Sequence, residues 1–423
     1  MKRRKVLAML GTAGATVAMA RRAGAQPKEI VIGAIIPLTG SAPGTGADCK
    51  AGAEFAADMI NGNMPRFPGA NPLLGGGWSG IPALGNAKLK LVFADSQGSP
   101  EVGRAEAERL ITTVKPSATM GAWHSGVTVA IAPVIERYRI PHMTISTATE
   151  LTQRGFQYLF RVGVNAHQGG EVLFQYLDWI SKEHGKKWGK LGQLHEDTAA
   201  GVNFANAIEE MAKARSIPVA LRVPYSREQA NMDSEILKLK SAGIDVLVQT
   251  SYTSDGIIIR KTMRKLDYAP ALIFSQGGFD DDPKFYEAVG DDANYGSKRQ
   301  LWSPVLSSTK PILKTVNDEF RRRHGRDIND NSVRYITLIQ VVADALNRAK
   351  SADSQAIQKA LVLTDLKAEQ VLLVHGVKFD AKHDNVLAKA MVAQIQERQP
   401  KIVFPPEAAV TKPVWPIPAW NTR

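Results

Sequence analysis

Cysteine is almost absent: Cys49 stands alone in 423 residues. One thiol closes no intrachain disulfide and builds no Cys-based metal site. It also lies too far into the chain to be an N-terminal lipid-attachment residue. Beyond the N-terminus no window reaches 18 consecutive apolar residues, so nothing there reads as a membrane span. Catalytic signatures are missing as well. There is no H-E-x-x-H or H-x-H spacing and no G-x-S-x-G elbow. The loop at residues 40–46 holds Gly40, Gly44 and Gly46, but it is not G-x-G-x-x-G and no Lys-Ser/Thr follows it. His195-Glu196-Asp197 has no second His one helical turn away and reads as a solvent-facing strand end. Asp280-Asp281-Asp282 lacks the spaced loop of a calcium site and reads as a turn and helix cap. The expectation is a protein that is not an enzyme and carries no metal and no cofactor.

The positive charge is real but partly local. The formal net charge is +12, yet the first 25 residues hold six basic side chains (Lys2, Arg3, Arg4, Lys5, Arg21, Arg22) and no acid, so the remainder carries +6. Those basic residues are scattered rather than gathered on one face, which argues against a nucleic-acid partner. The N-terminus has the layout of an export signal. A basic stretch precedes an apolar run at residues 6–20, and Ala23-Gly24-Ala25 offers a small-x-small cleavage site. Arg3-Arg4-Lys5-Val6-Leu7 fits a twin-arginine signal, and a general secretory signal has similar features. Residues 1–25 are therefore expected to be removed and the mature chain to work in the periplasm.

What the chain does have is a long alternation of strands and helices. Residues 29–37 form a continuous apolar run, as in a strand buried on both faces. A Gly-rich turn and a helix at about 47–61 follow. Residues 62–86 read as a long loop pinned by Leu73, Leu74 and Trp78. Strand signals recur near 88–95, 118–122, 140–145, 160–162, 190–195, 219–225, 245–250 and 271–274, mostly separated by helical segments. This pattern predicts parallel α/β sheets, with more units than one sheet usually takes. Helices are predicted over 311–349 and 353–364, then a tail of short apolar segments, then an extended Pro-rich end at 405–420.

Several strand-end loops are rich in Ser, Thr and Gly: Ser125-Gly126, residues 144–149, 198–201 and 250–255. Ligands of open parallel sheets bind beyond the carboxyl ends of the strands. Each loop leads towards a helix, whose free N–H groups and positive end favour a carboxylate. Any one of them also serves as an ordinary N-cap. Together they predict a shared anion pocket.

At these residues the chain resembles the Leu/Ile/Val-binding family of periplasmic proteins, over nearly all of residues 28–400. The similar segments are Ile32-Gly33-Ala34-Ile35-Ile36-Pro37-Leu38-Thr39-Gly40, Ala130-Ile131-Ala132-Pro133-Val134, Glu150-Leu151-Thr152-Gln153-Arg154-Gly155-Phe156-Gln157-Tyr158 and residues 335–345. The resemblance implies a type I periplasmic binding fold: α/β, with two doubly wound parallel-sheet lobes joined by three crossovers. One lobe is expected from 26–161 with 304–385, the other from 162–303 with 386–423. It further implies a monomeric substrate-binding component of an ABC importer. Its partners would be a small-molecule ligand, either an amino acid or an aromatic or aliphatic carboxylate, and a membrane permease. An extracellular sensor subunit is the alternative reading. A secreted α/β hydrolase is the alternative of another class.

The family's binding residues fall on Ser125 and Gly126 for the ligand carboxylate, Thr147 with Ser146 beside it, and Tyr252 as the covering aromatic. Trp123, Thr198 and Gln276 complete the expected ligand set. Two positions depart from the pattern. The family's Tyr before the glycine matching Gly201 is Ala200, and the acid that pairs with an α-ammonium falls near Gln276 or Gly277. Asp197 or Asp255 is the candidate replacement for that acid.

Overall fold

The computed structural model describes residues 27–423 except 186, 228 and 309, so the predicted export signal lies outside the described residues. A first sheet is built from β1 (Glu29–Ile36), β2 (Lys88–Asp95), β3 (Ala118–Gly121), β4 (His142–Thr144) and β5 (Leu159–Arg161), in the order β2-β1-β3-β4-β5 and parallel throughout. The helices between these strands are α1 (Pro43–Asn61), α2 (Pro100–Arg109) and α3 (Ser125–Tyr138). A second sheet contains β6 (Lys190–Glu196), β7 (Val219–Tyr225), β8 (Ile244–Thr250), β9 (Leu272–Gln276) and β10 (Ser297–Gln300). Around it lie α4 (Ala166–His184), α5 (Ala199–Ala214), α6 (Asp233–Ser241), α7 (Thr253–Lys265) and α8 (Pro283–Val289). Then follow α9 (Ile312–His324), α10 (Asp330–Ala349), α11 (Ser354–Val362), the short pair β11 (Asp365–Leu366) and β12 (Val377–Lys378), and the hairpin β13 (Met391–Gln396) and β14 (Gln399–Phe404).

The second sheet runs β14-β13-β10-β9-β8-β6-β7. Its strands β6 to β10 repeat the parallel order of the first sheet, and β13 and β14 add an antiparallel edge. α9, α10 and α11 pack into the core of the first sheet, whereas α4 and α5 pack into that of the second. The chain therefore crosses between the lobes after β5, after β10 and before β13.

Sequence explains the elements locally. In β1, Ile30, Ile32, Ala34, Ile35 and Ile36 are all buried, as a strand covered on both faces requires. α1 starts a turn before its expected position because Pro43 sits at its first turn, where a missing N–H costs nothing. The loop at residues 62–86 is pinned as expected: Leu73 and Leu74 are buried and Trp78 packs against the same core. Capping boxes, Asn165 with Gln168 and Asn329 with Ser332, fix the starts of α4 and α10. Cys49 is buried in the core and His195, expected at the solvent, is buried too. Its ring lies 2.9 Å from Arg222 Nε and 2.9 Å from the Glu196 carbonyl, because the end of β6 is covered rather than exposed.

Candidate functional site

Each parallel sheet changes winding direction once, between β1 and β3 in the first lobe and between β6 and β8 in the second. Crevices form at the carboxyl ends of strands at such switch points. The two switch points face one another across a small cavity of about 30 Å³. It is lined by Trp123, Ser125, Ile145 and Thr147 from the first lobe, and by Ala200, Phe204, Tyr252, Gly277, Gly278 and Arg299 from the second, with Arg334 from α10. That volume is about one water molecule's worth, so the lobes are apposed.

The first-lobe wall is rigidly held. Ser125 opens α3 and its Oγ accepts a hydrogen bond from the Ala148 N–H at 3.3 Å. The loop carrying Thr147 is clamped by Arg161, which is fully buried. Its guanidinium donates to the carbonyls of Ser146 (3.1 Å), Ala148 (2.7 Å) and Thr149 (3.2 Å), and to the Asp384 carboxylate at 3.0 Å. With those carbonyls turned to Arg161, the pocket side of the loop is left to N–H groups and hydroxyls. Trp123 Nε1 donates to Asn331 Oδ1 at 2.9 Å, and the same oxygen accepts from Arg334 Nη2 at 2.8 Å. Asn331 thus sets the indole and the guanidinium side by side.

The second-lobe wall begins with Tyr252, the N-cap residue of α7. Its ring lies 5.2 Å from that of Trp123 and 5.0 Å from that of His124, so aromatic groups of both lobes meet over the cavity. Burial, with the nearby Arg227 cation as a lesser cause, pushes the His124 imidazole down to about 3, so it is neutral. Across the cleft, Asn203 Oδ1 accepts from the Thr149 N–H at 3.1 Å.

Of the residues expected to bind ligand, Trp123, Ser125, Thr147 and Tyr252 line the cavity. The others stand behind it. Gly126 follows Ser125 in the first turn of α3. Ser146 is buried against Thr128 Oγ1 (2.6 Å) and the Ala122 carbonyl (2.7 Å). Thr198 caps α5 through the Gly201 N–H, and Gln276 turns to the Gly169 carbonyl at 3.2 Å. Neither candidate replacement acid reaches the cavity lining: Asp197 is exposed, and Asp255 is buried in the first turn of α7. Of the two positions where the expected acid falls, Gln276 is turned to Gly169 and Gly277 is closed to any side chain. Its φ is +93°, and a Cβ there would lie 2.4 Å from the Ser251 carbonyl oxygen. No side chain fits.

Sequence reading missed Phe204, Arg299 and Arg334. Arg299 lies on β10 with its guanidinium 5.6 Å from the centre of the Phe204 ring. Its Nε and Nη1 are buried and meet no acceptor. Burial, and then the like charge of Arg334, bring it down to about 10, still charged at neutral pH. Arg334 is 5% exposed and also donates from Nε to the Asp330 carbonyl at 2.7 Å. Sequence reading also missed Glu196 at the end of β6. It is fully buried, and burial drives it up to about 8 despite Arg227, 4.0 Å away. The triplet at 280–282 is only partly the expected cap: Asp282 caps α8, while Asp280 and Asp281 pair with the buried Lys298.

Known proteins share this architecture. The family model described as "periplasmic binding protein" matches residues 29–400. Leu/Ile/Val-binding protein homolog 7 of Brucella abortus is 28% identical over 407 residues, covering 93% of this chain and 96% of its own. The branched-chain amino-acid transporter substrate-binding protein LivJ of Streptococcus pneumoniae, solved with isoleucine, superposes with a TM-score of 0.72 at 19% identity, over 89% of this chain and 100% of its own. A solute-binding protein of an ABC transporter from Rhodopseudomonas palustris, solved with 3,4-dihydroxybenzoic acid, gives 0.70 at 17% identity, over 87% and 93%.

Proposed function

The chain belongs to the periplasmic binding protein family, and from that membership we propose that it is the substrate-binding component of an ABC importer, capturing a small carboxylate between its lobes in the periplasm. The observation that supports this is the cavity where the two switch points meet, lined by Ser125 and Thr147 on one side and by Tyr252 on the other. The Ser125 hydroxyl, the α3 N–H groups of Ser125 and Gly126, and Thr147 take the carboxylate, without needing a counter-ion. Trp123 and Tyr252 cover the apolar part. Ser146, Thr198 and Gln276 stand behind the lining, bonded to the backbone of Ala122, Gly201 and Gly169.

An amine-free carboxylate suits this lining better than an α-amino acid. An ammonium group needs a buried anionic or carbonyl partner. The lining offers no carboxylate and two guanidinium groups, Arg299 and Arg334. The ligand-loaded protein would deliver to a membrane permease, with no chemistry done on the ligand.

A thermal-shift series on residues 26–423 tests the reading. Saturating ligand at 100 times Kd adds about 2.7 kcal/mol of stability. Benzoate or hexanoate should raise the melting temperature, and Ser125→Ala should abolish that rise. A shift with leucine and none with amine-free acids would reverse the choice of ligand. A shift that survives Ser125→Ala would move the site elsewhere.

A further inference from the structure

Two arginines in one ligand cavity are more positive charge than one carboxylate needs. Resting on the capture reading above, we propose that Arg299 and Arg334 form a second anion subsite, so that the preferred ligand is a dicarboxylate. One carboxylate sits at Ser125 and Thr147, the other between the guanidinium groups.

The charge surroundings support this. The acids that act on Arg299, namely Asp330, Asp281 and Asp280, do so less strongly than its burial and the like charge of Arg334. The acids nearest to the pair are committed elsewhere. The Asp330 carboxylate accepts from Gln300 Nε2 (3.0 Å) and from the N–H groups of Leu301 (3.0 Å) and Trp302 (3.0 Å). Asp280 and Asp281 lie against Lys298. Arg334 spends Nε and one terminal nitrogen on α10 and Asn331, and Arg299 leaves Nε and Nη1 without an acceptor. Arg299 is only partly buried as a residue, but its two buried donors stay costly until an acceptor arrives. A guanidinium presents its N–H groups in the plane that a carboxylate accepts from two at a time.

The two subsites draw on different elements. Ser125 comes from the β3–α3 turn, and Arg299 from β10, where the chain leaves the second lobe. The rings of Trp123, Tyr252 and Phe204 lie among the lining residues, so the piece joining the carboxylates is apolar. Ser125 and Thr147 without arginine would serve a monocarboxylate. The pair extends that site to a second charge.

Calorimetry with matched acids tests the proposal: terephthalate against benzoate, and adipate against hexanoate. The dicarboxylate of at least one pair should bind about tenfold or more tightly than its partner. Arg299→Gln should bring that ratio to within about twofold by weakening the dicarboxylate at least about fivefold more than the monocarboxylate. Arg299 accepts this substitution more readily than Arg334, which holds the start of α10. Arg334→Lys serves as the second variant, and ligand-free melting curves check both folds. Equal affinities within both pairs, with Ser125→Ala still abolishing binding, overturn the second subsite and leave the capture reading standing. Loss of both acids of a pair alike in Arg299→Gln also overturns it, by placing the sole carboxylate on the arginines. If no acid binds at all, both readings fall together.

Discussion

Glu196 is a carboxyl group that folding keeps protonated. It is fully buried at the end of β6, with Arg227, Asp255, Tyr225 and Tyr252 as its titratable neighbours. Burial lifts it from an ordinary 4.5 to about 8, with Asp255 adding to the rise and Arg227 opposing it. Between those two values the folded state holds a proton that the unfolded chain has released. Stability therefore falls with rising pH across that window. The contribution is fully present below about 4.5 and is lost as pH passes about 8. Glu196→Gln keeps the neutral shape, so its melting temperature should fall less steeply between pH 5 and 8, roughly the same window. Parallel curves for the two proteins would show that Glu196 ionises freely in the fold.

Arg161 makes the opposite case, a charge retained because it is fully satisfied. It bridges the β4 loop to Asp384, a residue more than two hundred positions away in the chain. Removing one partner of a buried pair costs about 3–5 kcal/mol, and here Asp384 keeps Asn165 and Thr152 as donors while three carbonyls lose theirs. Arg161→Met should lower unfolding free energy by that order in urea titrations. It should also loosen the loop that presents Thr147, because the carbonyls of Ser146, Ala148 and Thr149 lose their donor. A loss below about 1 kcal/mol would mean that the loop is held by its packing alone.

At the scale of elements, helices and strands were largely readable because apolar runs and turn residues repeat with βα spacing. β1, β6 and β8 emerge from their buried runs, and the helices from their caps. The loops carrying Ser125, Thr147 and Tyr252 were readable for a related reason: each follows a strand end, where ligands of parallel sheets bind, and the resemblance to the Leu/Ile/Val-binding family then singled out these residues within them. Arg299 and Arg334 gave no such signal. Arg299 stands in the charged stretch Lys298-Arg299-Gln300, and Arg334 is one of two cations, with Arg348, in an otherwise amphipathic helix. Both patterns read as solvated faces until the crossings between lobes fold them inward. The antiparallel edge of β13 and β14 was hidden for the same reason, since its partner β10 is about ninety residues earlier.

The close packing of α1 on α10 is also an element-scale feature. Gly52 of α1 packs against α10, and a Cβ there would lie 2.3 Å from the Ser332 carbonyl oxygen. Backbone at that distance cannot swing aside, so one helix must shift. Gly52→Ala should therefore cost about 1–3 kcal/mol despite the better helix propensity of alanine. Because Asn331 and Arg334 ride on α10, the same variant should weaken dicarboxylate binding. Unchanged urea midpoint and affinity would show that α10 shifts without consequence.

For the whole molecule, two sheets of the same winding set their switch points face to face, and the cavity exists only where the lobes meet. Closure rests on contacts across the cleft: Trp123 and His124 on Tyr252, and Thr149 on Asn203. With room for about one water, loading must open the lobes, so the closed form has to be left before a ligand is admitted. Contacts that form only on closure hold the ligand in rather than guide it there. Tyr252→Ala should therefore act on release. Stopped-flow tryptophan fluorescence with terephthalate should show the dissociation rate rising on the order of tenfold, with association nearly constant. A fall in association at constant dissociation would place Tyr252 in the open form's capture surface. In that case the first lobe alone would not hold the incoming acid, and binding would need both walls from the start.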